Sequence, residues 1–396
     1  MSTQSPFFRD TWVEVNINAL NNNIKNIKNM LTDDVEAFAV VKANGYGHGD
    51  IQVAKAALQA GANGIAVAFL DEAINLREHG VTEPILVLGA TRPEYARVAA
   101  EKGISLTVFE ESWIQEVKHF TPFTNPLALH IKCDTGMNRL GIKSVEALMR
   151  MEEEIESNSS LVLEGVFTHF ATSDEIERSY TKRQIALFHD YLHALKKRPR
   201  YVHAGNSGGA LRFSEAKFNM VRIGIAMYGL TPSPEITHEL PVSLSPVMSI
   251  HTKIVHIKEL PKGEKISYGA TYETQDYEWI ATIPIGYADG WLRKLQGQEV
   301  LVEGERVPIV GRICMDQCMI KLPREVPVGT IVTLIGTQGS ETITMEEIAD
   351  KMDTINYEVP CIISTRVPRV YRENHQTIEV SNRLLGSYTY KINDME

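Results

Sequence analysis

Lys42 ends an apolar run in the stretch AVVKANGYGHG, residues 39–49, where three glycines interleave with Tyr46 and His48. At a strand tip a lysine can simply snorkel its ammonium group to solvent. Partly desolvated at the mouth of a site, the same amine has a lowered pKa and becomes a Schiff-base nucleophile. Other chemically able side chains follow short β-branched runs. Lys132 closes LALHIK and Arg139 comes seven residues later; His169 lies in EGVFTHF, Asn206 and Ser207 in HAGNSGG, Arg222 in NMVRIG. Each has an ordinary explanation when taken singly: a satisfied core histidine, a surface ion pair, a helix N-cap.

What must position these groups is a set of eight runs alternating with helix-length segments: 38–42, 64–68, 85–89, 105–109, 127–132, 164–170, 201–206 and 219–224. The intervening segments, such as DIQVAKAALQAG and RPEYARVAAEKG, have helical apolar spacing and close on a glycine. Eight such units in about two hundred residues predict an N-terminal (β/α)8 TIM-type barrel, with an open doubly wound sheet as the alternative. The proline-rich stretch 230–243 marks a boundary, giving a barrel over 12–240 and a second domain over 241–390. The second domain reads as mostly β, with runs such as VMSIHTKIVHIKEL and EVLVEGERVPIVG between glycine or proline turns. The class is therefore α/β plus β. WVEVNINAL precedes the eight runs and is free to pair with the β domain instead.

In such barrels reactive groups collect at the carboxyl ends of the strands. Lys42, Lys132, Arg139, His169, Asn206, Ser207 and Arg222 all fall there. GNSGG places amides and a hydroxyl at the start of a helix, and RIGIAMYG adds backbone amides beside Gly224, which suits a phosphate. Glycines alone are a weak signal, but an amine, a phosphate cup and an arginine on one face suggest a phosphorylated aldehyde held as an imine. Pyridoxal 5'-phosphate fits that description.

Composition narrows the field. Hydrophobic residues make up 43% and charged residues 23% of 396, the balance of a globular protein too long for one ordinary core. A formal charge of −10 argues against a nucleic-acid partner. No basic and apolar leader opens the chain and no apolar run is long enough to span a bilayer, so no membrane association and a cytoplasmic location are expected. Four cysteines, with Cys314 and Cys318 lacking a second pair, predict reduced thiols and no metal site.

In both halves the sequence resembles the alanine racemases. AVVKANGYGHG is similar to their cofactor-lysine signature, and DTGMNRLGI, THFATSDE, HAGNSGGAL, VRIGIAMYG, ISYGATY, GYADGW, GRICMDQ and INYEVPC resemble the other blocks, in the same order. The one departure noted is Asn138, where many members have glycine. The resemblance implies an enzyme interconverting L- and D-alanine, usually for peptidoglycan. Lys42 would form the internal aldimine with pyridoxal phosphate and serve as one base. Tyr268 of the partner subunit would be the second, its phenolate favoured by His169 and Arg222. It further implies that Arg222 faces the pyridine nitrogen. Arg139 and the partner's Met315 amide would bind substrate. Tyr46, Tyr357, Ser207 and the amides of Gly224 and Ile225 would hold the phosphate, and Lys132 would carry a carbamate. Asp316 and Arg312 would shape the partner's entrance. A homodimer with shared sites follows.

Four other functions share part of this pattern. A broad-specificity amino-acid racemase would keep almost every motif. A decarboxylase of the same plan should carry a cysteine-bearing block in place of the two-base tyrosine. A non-catalytic pyridoxal-phosphate-binding barrel should lack everything after residue 244. An aldolase-type lysine barrel leaves the β domain unexplained.

Overall fold

The computed structural model describes residues 7–386 and 389–391. The opening MSTQSP, read above as carrying no basic leader, and residues 387–388 of the expected second domain lie outside the described residues. Two compact units divide the chain. One comprises residues 20–45 and 50–245; the other takes the residues up to 19, 46–49 and those from 246 onward.

The first unit is a closed parallel barrel. After a strand β1 (Thr11–Asn16) that belongs elsewhere, the barrel strands are β2 (Glu36–Val40), β3 (Gly64–Val67), β4 (Ile85–Val87), β5 (Ile104–Val108), β6 (Leu127–Lys132), β7 (Leu161–Phe167), β8 (Tyr201–His203) and β9 (Met220–Ile223). Closure comes from β2 against β9, with Phe38 opposite Arg222 and Ala39 opposite Ile223, and it excludes the open sheet. Residues are buried throughout β3, β4, β5, β8 and β9, because helices cover the outer face and side chains fill the inner one. Phe38, Leu86, Tyr201 and Met220 pack together in the core. The sixth barrel strand begins three residues earlier than expected and stops at Phe167, leaving His169 in the loop after it.

The second unit is built on a long sheet in which β10 (Met248–Lys253) lies between Ile331–Gln338 and β1. β1 also runs parallel to Arg369–Glu373. WVEVN therefore pairs outside the barrel, and its alternation of buried and half-buried positions is that of a strand with one less covered side. The Thr11 and Thr252 hydroxyls meet across the pair of β1 and β10 at 2.8 Å. Helices not foreseen here include Met345–Met352, capped by Thr344, whose hydroxyl accepts from the Glu347 amide. The T-x-x-E signature is there, but the surrounding β-run grammar masks it. Among the described residues no helix is long and apolar enough to cross a membrane, and no group of three His, Cys, Asp or Glu side chains is placed to hold a metal ion.

Candidate active site

Lys42 is two residues past the end of β2, at the start of a turn of unusual handedness. Ala43, Asn44, Gly45 and Tyr46 have φ of 53°, 56°, 60° and 50°, a run of left-handed backbone. Such a conformation costs roughly 1–2 kcal/mol for each residue with a Cβ, so the surroundings must hold it. The Gly45 amide donates to Val41 O at 2.8 Å, and the Asp50 amide to Asn44 Oδ1 at 3.3 Å. Glu72 does most of the fastening: one carboxylate oxygen accepts from the Ala43 amide at 2.7 Å, the other from the amides of Ala68 and Phe69. Nothing in the motif pattern singles out Glu72, which lies 30 residues downstream on a helix of its own.

The barrel brings five of the expected groups within electrostatic reach of one another. Burial first, then the charges of Arg222, Lys132, Arg139 and Lys42, hold His169 well below its ordinary pKa and so neutral. Lys132 is buried at the end of β6 and is pulled down to about 8, by burial first and then by Arg139 and Arg222, against the opposing pull of Asp134. Its ammonium group sits 5.6 Å from the centre of the Phe167 ring. Arg139 itself is exposed, on a loop organised by Asp134, which accepts the Gly136 and Asn138 amides at 3.0 and 2.9 Å. Asn138 has φ 56°, which explains why glycine suits this position and why asparagine replaces it readily.

Arg222, 3% exposed, donates from Nη2 to Thr168 O, Ala204 O and His169 Nδ1 at 3.0, 3.0 and 3.3 Å, and from Nη1 to His203 Nδ1 at 2.6 Å. Among the described residues its Nε–H has no acceptor. Because His169 accepts on Nδ1, its remaining N–H is on Nε2. The Asn206 side chain caps Ser207–Arg212 by accepting the Gly209 amide. Ser207 Oγ accepts the amides of Gly224 at 3.0 Å and Ala226 at 3.4 Å, so this hydroxyl knits the start of one helix to the turn after β9.

The other expected residues lie in the second unit. Tyr46 and Tyr357 face each other with ring centres 6.4 Å apart. Burial, reinforced by Cys361, raises the Tyr46 hydroxyl pKa, so it is a neutral donor. The neighbouring Gly47 is obligatory: a Cβ there would stand 1.9 Å from Pro360 O. Arg369 and Tyr371 donate to the carbonyls of Gly47 and His48, each at 3.0 Å.

Tyr268 is 72% exposed on a turn in which Ser267, Gly269 and Ala270 also have positive φ. Ser267 Oγ donates to Arg312 O at 2.5 Å, and the Arg312 guanidinium lies where a Gly269 Cβ would be 2.8 Å away. Met315 is likewise exposed, and its loop is held by Tyr287 and Ala288 amides donating to the carbonyls of Cys314 and Met315. Asp316 pairs with Arg366 at 2.7 Å.

Two family models cover the chain: alanine racemase, N-terminal domain, over residues 15–232, and alanine racemase, C-terminal domain, over 247–371. A closed barrel with lysine, histidine and arginine at the carboxyl ends of its strands, joined to a mostly β unit, defines a racemase-type isomerase. The alanine racemase of Geobacillus stearothermophilus is 54% identical over 96% of this chain and 97% of its own length. A crystal structure of alanine racemase from Bacillus anthracis with bound L-Ala-P superposes with a TM-score of 0.93 at 53% identity, covering 96% of this chain and all of that one. A histidine racemase from Leuconostoc mesenteroides, 35% identical, reaches 0.88 over 93% of this chain and 99% of its own. The chain belongs to the alanine racemase family.

Proposed function

We propose that the protein is an alanine racemase that works with pyridoxal 5'-phosphate as a homodimer, each active site drawing residues from both subunits. The observation that carries this reading is the group at the barrel's strand ends: Lys42, a neutral His169 and a buried Arg222 with an unused Nε–H. The residues suit the cofactor. That Nε–H matches a ring nitrogen that can only accept, and the Ser207 hydroxyl with the Ile225 amide suits a phosphate. When bound, pyridoxal phosphate supplies an aldehyde for the amine and an electron-withdrawing ring that acidifies the α-hydrogen of an amino acid.

The chain's own side chains do the rest. Lys42 removes or returns the α-proton on one face and Tyr268 of the partner subunit does so on the other, since a single base reaches only one side. A free tyrosine titrates near pH ~10, so it needs a neighbour that favours the phenolate, and the His169 Nε2–H is suited to donate to it. Arg222 would hold the ring nitrogen as a donor that does not give up its proton, which would leave the proton transfers to the two bases. Arg139 and the partner's Met315 amide orient the substrate carboxylate. Lys132, with its pKa near 8, is partly a free amine at neutral pH and so open to carbamylation, which turns a cation beside Arg139 into an anion. A carbamate signal from the protein in 13C-bicarbonate tests this last point, and its absence would retire it. D-alanine for peptidoglycan, made in the cytoplasm, is the role that fits.

The deciding experiment incubates the protein and pyridoxal phosphate with L-alanine in deuterium oxide. D-alanine carrying α-deuterium is the expected product; deuterium without D-alanine would leave one working base and sink the two-base mechanism. The likeness to a histidine racemase supports a second reading, in which the same fold racemises another amino acid. A panel of L-amino acids, with alanine expected to have the highest kcat/KM, separates the two.

A further inference from the structure

Beneath this site the barrel interior holds three titratable side chains that the chemistry above leaves without a task. His130 and His203 are fully buried, and Glu164 is partly so. They continue in a line from Arg222. Its Nη1 is 2.6 Å from His203 Nδ1, His203 Nε2 is 2.9 Å from His130 Nδ1, and His130 Nε2 is 3.2 Å from Glu164 Oε2, which also accepts from the Ser105 hydroxyl at 2.6 Å.

The order of donors is forced. A guanidinium at one end only donates and a carboxylate at the other only accepts, and while both ends hold, His203 Nδ1 is bare and its single proton sits on Nε2. That N–H points at His130 Nδ1, which must also be bare, so the His130 proton sits on Nε2 and is given to Glu164. An imidazolium at either position would set two N–H groups against each other. The barrel makes room for this line: a Cβ on Gly165 would stand 2.3 Å from His130 Nδ1. The His203 ring stacks on Phe167 with centres 4.6 Å apart, and His130 stacks on Tyr201 at 5.7 Å.

The charges agree with the geometry. Burial, then the charge of Arg222, holds His203 well below its ordinary pKa. Burial works to raise Glu164, but hydrogen bonds from His130 and Ser105 and the charge of Arg200 outweigh it and leave the carboxyl below its usual range. Burial brings Arg222 down to about 9, which still leaves it cationic at neutral pH.

We propose that Glu164, acting through His130 and His203, is a positioning residue for Arg222. A carboxylate at the far end of the line sets the direction of every hydrogen bond in it, so Arg222 always meets a bare nitrogen and keeps its Nε–H for the pocket. The consequence for catalysis rests on the function proposed above; the line itself does not.

The test is 15N NMR of the full-length protein labelled at histidine, with and without pyridoxal phosphate, between pH 6 and 8. His203 and His130 are each expected to carry one proton, on Nε2. A proton on Nδ1 of either, or an imidazolium at either, overturns the proposal. Glu164→Leu fills the space but offers no acceptor. It should give mixed tautomers at His203 and lower kcat for alanine about tenfold with KM within twofold, the worth of one positioned hydrogen bond. Glu164→Gln keeps a carbonyl acceptor and should restore both. An unchanged His203 tautomer in Glu164→Leu defeats the proposal, and so does a Glu164→Gln protein that behaves like the leucine variant. The wild-type spectrum decides the hydrogen-bond order even where Glu164→Leu does not fold. Nε2 protons on both histidines in a protein that does not racemise alanine would uphold the line and reject the function.

Discussion

Lys42 and Tyr268 both sit beside left-handed backbone, yet their surroundings differ in almost every other respect. The lysine turn is fastened by Glu72 and by the Val41 carbonyl, and the charge of its amine is felt by His169 and Lys132. The Tyr268 turn is fastened just as firmly, by Ser267 on the Arg312 carbonyl, but it presents a tyrosine that is 72% exposed. Holding strain in place for a side chain this exposed is what the proposed contribution to a partner's site would call for. One proposed base thus lies among buried groups of its own unit, and the other is largely exposed.

That contrast can be broken most sharply by activity. Lys42→Ala should abolish racemisation, and Tyr268→Phe should lower it by about 10²–10⁴, the usual range for a lost general acid or base. In deuterium oxide Tyr268→Phe should still exchange the α-hydrogen of one enantiomer. Heterodimers of the two variants, each inactive alone, should recover one working site in two. Recovery absent, with dimers present by sedimentation, would remove the shared site.

Stability separates the two turns next. Gly47→Ala forces a Cβ onto the Pro360 carbonyl at 1.9 Å and should destabilise by ~4 kcal/mol, read as a lower denaturant midpoint. A smaller effect concerns pH. His169 and His203 stay neutral when folded, while their unfolded forms take up a proton near pH 6.5. The unfolded state therefore binds more protons as pH falls below 6.5, and stability should drop by up to about 1.4 kcal/mol per histidine per pH unit. A flat midpoint between pH 6.5 and 5 would contradict the neutral state of both. Smallest of all, Tyr268→Phe should leave the midpoint within ~0.5 kcal/mol of wild type, as for any exposed side chain; a large loss would mean that the tyrosine supports its own subunit.

Much of this was legible in the residues. Alternation of β-branched runs and helical spacing gave away the barrel, because strands covered on both faces must be apolar throughout, and the motifs placed Lys42, His169 and Arg222 at one end of it. Glu72, His130, His203 and Glu164 escaped notice for a physical reason: they act through hydrogen bonds whose partners lie far along the chain, such as the 73 positions between His130 and His203. The left-handed run at 43–46 was hidden too, since Ala43 and Tyr46 give no hint of positive φ. The helix Met345–Met352 was missed because its neighbours read so consistently as strand.

The threading of the chain carries a last consequence. Residues 46–49 are grouped with the second unit, and Gly47 and His48 are gripped there by Arg369, Tyr371 and the close approach of Pro360. β1 is likewise a strand of that unit's sheet. A gene cut at residue 245 therefore does not yield two interchangeable modules. Hybrids that join the first part of this chain to the second part of a relative must match not at the seam but at two distant places, 11–16 and 46–49. Recombination between family members is thereby restricted by contacts hundreds of residues from the crossover.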